Sequence, residues 1–382
     1  TIPLMKSVGY EPHFAGAVEA VASTGGQIMP PVMGAAAFIM AQILGVPYME
    51  VVVAAIVPAL LYYFAVMVQV HFEASRLGLK GIPFAQLPPL LPLLKSKGFL
   101  LIPLVAIIYF LLAGFTPLKA AFNGILVSFV LSWLNKETRL TPDRIIEAFE
   151  SGARGAIGVA CACATVGMIV GMGTLTGLAL RIANAIVALA GGSKILTLFF
   201  TMLASRLLGM GLPTTANFIV TSTMAAPALF LLGVPAKAAY MFVFYFGIAA
   251  DLTPPVALAA YAGAGIAGSD PMKTGVTAFK LALAGFIVPY IYVYNPILLF
   301  IDVEAAQMVQ AICTALIGVF LLAMSTIGYF KAYMPWYLRI LAFIGALGLL
   351  TPGTITDLCG LAVLVLIYVV QTMKAKKIAA SV

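Results

Sequence analysis

A carboxylate followed by two consecutive prolines interrupts an apolar stretch of the chain at Asp251-Leu252-Thr253-Pro254-Pro255. Proline lacks a backbone N–H and restricts the residue before it, so two in a row prevent a regular helix at this point. Because the residues on both sides are apolar, the pattern predicts a helix that is broken inside a membrane. An intramembrane carboxylate is costly unless it coordinates a cation, pairs with a base or is protonated. We favour a role for Asp251 in ion coupling, and the alternative is a structural salt bridge with Lys280 or Arg206.

A second polar interruption divides the apolar segment 193–233, which is too long for a single span. We expect two half-helices that meet at a polar tip and form a re-entrant hairpin, covered at membrane depth by protein or by a cavity. Carbonyl oxygens at half-helix ends suit Na⁺, and half-helix N-termini attract carboxylates. The alternative is a structural loop whose hydroxyls cap its own helix. We assign Gly209 and Gly211 to the ion site, and we assign to the substrate site Pro213, Thr214, Thr215 and Asn217.

The sequence also contains an internal repeat, because aligning Pro30-Pro31 with Pro254-Pro255 aligns further residues without a gap. The further matches are Pro3 with Pro227, Gly9 with Gly233, and Pro47 with Pro271. Two homologous halves are typical of secondary transporters, in which broken helices meet near the membrane midplane. The number of spans between the two breaks predicts that they run antiparallel, as an inverted repeat.

The repeat pairs Gln27 with Asp251, so the two breaks need not form equivalent ion sites. Gly25 and Gly26 are expected to contribute carbonyl oxygens at the first break. Together with the hairpin tip, the predicted ion site comprises Gly25, Gly26, Gln27, Met29, Ala250, Asp251 and Thr253, and the predicted substrate site includes Pro30 and Pro254.

The composition of the 382 residues is that of a polytopic membrane protein. Hydrophobic residues make up 63% of the chain and charged residues 9%, and the mean hydropathy is +1.11. A soluble domain of this size cannot bury so much apolar surface, whereas a helical membrane protein can. The predicted fold is therefore an all-α polytopic membrane protein, an inverted-repeat transporter with re-entrant hairpins and broken helices.

Several classes of function are excluded by composition and motifs. The net charge of +8 is attributed to cytoplasmic loops and not to nucleic-acid binding. The four cysteines lie in apolar segments, and Cys161 and Cys163 form C-x-C, so we expect neither a disulfide framework nor a metal site beyond the coupling cation. The sequence has no Walker motif and no nucleophile–base pair, so we expect no ATP-driven transport, no enzymatic reaction and no cofactor.

We expect five regions along the chain: a first-repeat hairpin tail and broken helix (1–47), scaffold helices with interfacial loops (48–151), a connecting span and arm (152–192), a second-repeat hairpin and broken helix (193–271), and C-terminal membrane helices (272–382). Lys and Arg concentrate in loops on one side, which we assign to the cytoplasm, and Asp302, Glu304 and Asp357 fall on the other. The chain begins at Thr1 without Met. Since the repeat predicts a first hairpin that starts before Thr1, we interpret the chain as a fragment.

Other polar and aromatic side chains have less specific predictions. Arg206 is expected to snorkel to the interface, and Lys280 either attracts the anion or snorkels as well. Glu19 is either a second titrating group or a hydrogen-bonding partner between helices. Tyr62 and Tyr63 are assigned to the scaffold or to an interfacial aromatic belt.

Five stretches resemble TRAP transporters, specifically the fused permease of the TAXI type. They are AGAVEA at 15–20, STGGQIMPPVMG at 23–34, GMGLPTTAN at 209–217, ADLTPPV at 250–256 and KLALAGF at 280–286. The resemblance covers essentially the whole chain.

This resemblance implies a secondary transporter of the bacterial inner membrane, coupled to Na⁺ or H⁺ and supplied by a periplasmic TAXI-type substrate-binding protein. It implies an elevator mechanism like that of the ion-transporter superfamily. It also implies small organic anions as substrates, such as C4 or C5 dicarboxylates or glutamate-like compounds. A small membrane subunit or N-terminal membrane domain would be missing from this chain. The alternatives are a stand-alone carboxylate carrier without a binding protein and a channel.

Overall fold

Helices account for nearly all of the chain in the computed structural model, which describes residues 1–81, 89–133, 139–301, 304–350 and 353–379. Within these ranges no β-strand forms, and one isolated bridge joins Tyr329 to Tyr333. The helices are α1 (Ile2–Val8), α2 (Pro12–Gly25), α3 (Ala35–Leu44), α4 (Tyr48–Leu77), α5 (Leu90–Lys97), α6 (Ile102–Leu112), α7 (Pro117–Ser132), α8 (Pro142–Leu175), α9 (Leu178–Leu189), α10 (Lys194–Gly209), α11 (Thr214–Met224), α12 (Ala226–Phe230), α13 (Ala236–Ile248), α14 (Leu258–Ala267), α15 (Pro271–Phe286), α16 (Val288–Tyr294), α17 (Ala305–Ile327), α18 (Trp336–Leu350) and α19 (Thr354–Ala379).

Five of the described helical segments are long and apolar enough to cross a membrane. A span of the hydrocarbon core needs about 20 apolar residues. The five segments are Tyr48–Leu77, Pro142–Leu175, Pro271–Tyr294, Ala305–Ile327 and Ile355–Lys377. The prediction of an all-helical, polytopic membrane protein is confirmed.

Two membrane segments are broken at the positions where the consecutive prolines predict a break. The first consists of α2 and α3, and the second consists of α13, a 3₁₀ turn at Ala249–Leu252, and α14. At the end of each break, a non-glycine residue adopts a positive φ, 54° at Met33 and 33° at Ala257, and these two residues are equivalent in the repeat. Both Pro-Pro peptide bonds are cis. The repeat in the sequence is therefore also a repeat in the backbone conformation.

The broken helices pack against each other through small residues. α2 lies along α14, and α3 contacts α13, so each half of one broken helix meets the opposite half of the other. At the first crossing a Cβ on Gly16 would lie 2.9 Å from the carbonyl oxygen of Gly263, and a Cβ on Gly263 would lie 2.6 Å from that of Gly16. Small residues permit this close backbone approach in a membrane.

The segment between residues 193 and 233 forms the predicted hairpin. α10 ends at Gly209, the chain turns through Gly211 with φ of 74°, and α11 returns from Thr214. Both limbs pack against α13, and α11 also contacts α3. The hairpin tip is thus held beside both broken helices.

The C-terminal helices pack on the outside of this assembly. α17 lies against α4 and α15, and α18 packs between α17 and α19. The contact of α17 with α4 includes an aromatic pair, since the ring of Phe72 lies 5.4 Å from that of Phe320, and Phe330, just after α17, lies 5.9 Å from Phe72 on the same side.

One predicted boundary lies inside a continuous helix. The polar segment before residue 152 begins a helix at Pro142 after the N-cap residue Thr141, as predicted, but this helix continues to Leu175 as α8. Arg154 pairs with Glu150 at 2.8 Å across the predicted boundary. Nothing in this stretch breaks a helix, because it has no internal proline and a helical glycine costs only about 1 kcal/mol. The predicted position of Asp302 and parts of the predicted cytoplasmic loops lie outside the described residues.

Candidate functional site

A side-chain hydrogen bond joins the hairpin tip to the first helix break. The Thr214 hydroxyl donates to the Gln27 side-chain oxygen at 2.7 Å. The Gln27 carbonyl in turn accepts from the Gly34 N–H at 2.8 Å, which closes the break just before α3 begins. A Cβ on Gly34 would lie 3.6 Å from the Thr214 methyl group. The structure therefore brings together one residue predicted for the ion site and one predicted for the substrate site.

Asn217 joins three helices below the tip. Its side chain is 1% exposed, and its amide nitrogen donates to the Gly247 carbonyl at 2.8 Å and to the Gly209 carbonyl at 3.4 Å. Neither glycine leaves room for a side chain, because a Cβ on Gly247 would lie 2.5 Å from Asn217 Oδ1 and one on Gly209 would lie 2.6 Å from Asn217 Nδ2. Within the described residues, Oδ1 is buried without a hydrogen-bond partner. It is a hard oxygen atom of the kind that Na⁺ or a water molecule can contact.

The second break holds Asp251 without a counter-charge. Its carboxylate is half-buried and makes neither a hydrogen bond nor an ion pair with any described residue, so the alternative of a salt bridge with Lys280 or Arg206 is not observed. Ala250 is fully buried. The Thr253 hydroxyl donates to the Ala249 carbonyl at 2.9 Å, which closes the 3₁₀ turn.

The two breaks meet around a cavity of about 10 Å³, which is near the lower limit for holding one water molecule. Tyr62 and Tyr245 line it with their rings 5.9 Å apart. Their hydroxyls donate to carbonyl oxygens, from Tyr62 to Val21 and from Tyr245 to Gly285, both at 2.7 Å. The other lining residues are Thr24, Gly25, Ile28, Ile248, Ala249, Leu252 and Phe286.

One prediction about side-chain position is wrong. Arg206 does not snorkel, because it is 7% exposed and its guanidinium lies 4.1 Å from the ring centroid of Phe286. The hairpin turns the end of α10 into the protein, where aromatic rings replace water around the cation. Of the two alternatives for Tyr62, the interfacial belt is excluded and the scaffold remains, since Tyr62 of α4 is buried against α2. Lys280, by contrast, is exposed on α15.

The remaining predicted residues lie at or near the breaks with few specific contacts. Pro254 packs against α15, where a Cβ on Gly275 would lie 3.4 Å from its ring. Glu19 is half-buried and accepts from the Ser23 hydroxyl at 3.5 Å. Gly26, Gly211 and Pro213 are exposed, Gly25 is buried, and the half-buried residues are Met29, Pro30 and Thr215.

The chemistry available here is that of helix ends and neutral oxygens. The C-terminal ends of α2 and α13 present carbonyl oxygens, and the N-terminal ends of α3, α11 and α14 present N–H groups. In the part of the chain that the structure describes, no group of three His, Cys, Asp or Glu side chains could hold a metal ion. The site therefore presents oxygen atoms that suit an alkali cation and N–H groups that suit an anion.

Two functional contacts were not predicted from the sequence. Gly247 receives the Asn217 amide, and Tyr245 joins α13 to α15. The sequence contains a signal for Gly247, because this small residue follows five aromatic or bulky residues, Phe242 to Phe246, and lies just before the break. No local pattern distinguishes Tyr245 from the aromatic residues around it.

Comparison with known families gives the class of protein. The family model described as "Tripartite ATP-independent periplasmic transporter, DctM component" matches residues 1–307, which is most of the chain. The chain belongs to the DctM family. DctM proteins are the large permease components of secondary transporters that work with a periplasmic binding protein. The match ends shortly after α17 begins, so α18 and α19 lie beyond it. A search among curated proteins found no match.

Proposed function

We propose that this DctM-family chain imports a small organic anion, delivered by a periplasmic TAXI-type binding protein, and that a Na⁺ or H⁺ gradient drives the import. The observation that supports this most is the contact between the hairpin tip and the first break, from Thr214 to Gln27. It joins the element predicted to bind the anion to an element predicted to bind the ion. The chain acts in the bacterial inner membrane, together with a small membrane subunit or an N-terminal membrane domain.

The ion part of the proposal rests on the oxygens at the two breaks. The carbonyls of the last turn of α2 lie at the first break, and the Asp251 carboxylate, which pairs with none of the described residues, lies in the second. Either a bound Na⁺ or a proton on Asp251 would offset that charge. Occupancy of the first break would orient Gln27 and, through its hydrogen bond, Thr214. Ion binding would thereby favour the tip conformation that accepts the anion.

The anion part rests on helix N-termini. The first residues of α11 and α3 lie beside each other at Thr214 and Gly34. Their N–H groups and helix dipoles favour a carboxylate, and the hydroxyls of Thr214 and Thr215 add donors. A C4 or C5 dicarboxylate or a glutamate-like compound matches these donors.

An elevator-type movement is the proposed mechanism. Asn217 and the Gly16–Gly263 crossing hold the hairpin and both broken helices as one body. α6 and α7 pack chiefly on each other. An apolar cleft of about 740 Å³ lies between this helix pair and the α3–α4 region. Such a weakly packed boundary suits the sliding of one body against another.

The test is uptake by proteoliposomes that contain the chain with its small membrane subunit or N-terminal membrane domain and are supplied with the binding protein, using labelled succinate, 2-oxoglutarate and glutamate, with Na⁺ and proton gradients imposed separately. We expect saturable uptake that requires the binding protein and one of the two gradients. Uptake without the binding protein would indicate a stand-alone carrier. Flux that rises linearly with concentration would indicate a channel, and either result would contradict the proposal.

A further inference from the structure

A polar cavity of about 280 Å³ lies at the helix ends that the charge distribution assigns to the cytoplasm. It opens between α2, α4, α15, α17 and α18. It is separate from the candidate transport site. His13, near the start of α2, lines the cavity, whereas the first break begins at Gly25, at the end of the same helix. At about 1.5 Å per residue, these two residues lie about 18 Å apart.

The charged groups around the cavity are mainly cationic. Arg76, Lys280 and Arg339 line it with one carboxylate, Glu73. Glu73 pairs with Arg76 through one guanidinium nitrogen only, and the buried Nε of Arg76 has no partner among the residues that the structure describes. Lys280 makes no ion pair or hydrogen bond within the same ranges. Glu11, which contacts the His13 ring at 3.1 Å, adds one carboxylate outside the cavity and also pairs with Lys273.

The walls of the cavity are held in place by hydrogen bonds between helices. The buried Gln69 of α4 donates to the Leu281 carbonyl of α15 at 2.7 Å and accepts from the Thr326 hydroxyl of α17 at 3.0 Å. Arg339 of α18 donates to the Ser325 and Thr326 carbonyls at 2.8 and 2.9 Å. The helices that form the walls and the Arg339 side chain are thus positioned before any ligand arrives, which lowers the entropic cost of binding.

We propose that this cavity is a binding site for a phosphate-type oxyanion. Guanidinium and ammonium groups are the donors that proteins use for phosphate, and an excess of cations in a partly desolvated cavity favours an anionic ligand. The volume accommodates a phosphate with a few further heavy atoms. The phosphate is supplied either by the headgroup of an anionic lipid or by a free solute in the cytoplasm.

The C-terminal helices complete this site. Thr326 and Arg339 form one wall, and both lie beyond the residues that the DctM family model matches. The other walls belong to the matched part of the chain. The site therefore gives these additional helices a binding role that does not rest on the proposed transport function.

The first experiment measures thermal unfolding of the full chain in phospholipid-free detergent while inorganic phosphate is titrated, with chloride at equal ionic strength as reference. We expect phosphate to protect the wild type more than chloride does. Lys280→Gln should raise the phosphate concentration for half-maximal protection about tenfold or more, because it removes one charged donor. Lys280→Arg should retain binding, and Lys376→Gln, an exposed lysine of α19 outside the cavity, should behave as the wild type.

The second experiment identifies the source of the phosphate. Native mass spectrometry would compare phosphatidylglycerol with phosphatidylcholine retained by the same variants after extraction from nanodiscs. Lys280-dependent retention of phosphatidylglycerol supports a lipid headgroup, and phosphate protection without such retention supports a free solute. The proposal is overturned if phosphatidylglycerol retention is independent of Lys280 and phosphate either protects without saturation or protects Lys280→Gln as well as it protects the wild type. If Lys280→Gln fails to fold, the wild-type titration decides, because protection by binding saturates whereas the general stabilisation of proteins by phosphate does not.

Discussion

Asp251 is a half-buried carboxylate in a broken membrane helix, and none of the described residues supplies it with a counter-charge. Its repeat equivalent, Gln27, is neutral and bonds to the hairpin tip. The two breaks therefore differ chemically although their backbones are alike. The acidic break is suited to a charge change during transport, and the neutral one is suited to coordination.

Asp251→Asn should abolish or alter the dependence of uptake on the ion gradient, because it removes the charge that a cation or proton offsets. The measurement is initial uptake rate in proteoliposomes under each gradient, after insertion is verified. Asp270→Asn is the matched control, since Asp270 is an exposed N-cap of α15 and Asn caps helices equally well. Unchanged ion dependence in the Asp251→Asn variant would remove Asp251 from the coupling mechanism.

Thr214→Val should raise the substrate concentration for half-maximal uptake and lower the free energy of unfolding by about 1 kcal/mol, because it deletes the hydrogen bond to Gln27 while keeping the side-chain shape. Both quantities are measurable, by uptake kinetics and by thermal unfolding in detergent. Thr223→Val is the control on the same helix, because that hydroxyl bonds only within α11, to Ile219. If the two variants showed the same uptake kinetics, the Thr214–Gln27 contact would have no role in substrate binding.

At the scale of elements, the two repeats make a close backbone contact where α2 and α14 cross. Their backbones approach so closely at Gly16 and Gly263 that neither position accepts a Cβ without movement. This crossing fixes the position of one break relative to the other, because α2 ends at the first break and α14 begins at the second. The small cavity between Gly25 and Ala249 depends on that position.

Gly263→Ala should destabilise the protein by about 1–3 kcal/mol, because the added methyl group would lie 2.6 Å from the Gly16 carbonyl oxygen and must push the helices apart. Gly265→Ala, two residues further along α14 in open space, should be neutral or stabilise by about 0.4–1 kcal/mol. Thermal unfolding of both variants in one detergent gives the comparison. Equal stability of the two variants would contradict the close crossing.

At the scale of the whole molecule, the positive charges define an orientation. Lys and Arg cluster in the loops assigned to the cytoplasm and at the C-terminal end of α19, and the cavity with Lys280 and Arg339 lies at the same end. The proposals for the transport site and for the oxyanion cavity both depend on which end faces the cytoplasm.

Glu304→Cys should react with a membrane-impermeant maleimide from the periplasmic side of intact cells, whereas Lys377→Cys should react only after the membrane is opened. The orientation follows from the positive-inside rule. The background needs the four native cysteines replaced by alanine: Cys161, Cys163, Cys313 and Cys359. Labelling of Lys377→Cys in intact cells would invert the assigned topology.

The sequence by itself determined the membrane class, the two helix breaks and the hairpin. These follow from local chemistry: apolar composition requires lipid, consecutive prolines remove backbone donors, and a repeated spacing reveals two halves. The sequence also predicted the start of α8 at Pro142 after Thr141. It did not predict the length of α8, because the change from polar to apolar residues near residue 152 indicated a boundary where no proline interrupts the helix.

Only the tertiary structure decided which side chains meet. Gln27 and Thr214 lie far apart in the chain, and Asn217 reaches a carbonyl of another helix. Arg206 is buried among aromatic rings although its sequence context predicts snorkelling. The physical reason is that such contacts depend on which face of each helix is covered when the segments pack. When the helices are apolar on nearly every face, the hydrophobic pattern of the sequence does not show which face of each helix is covered.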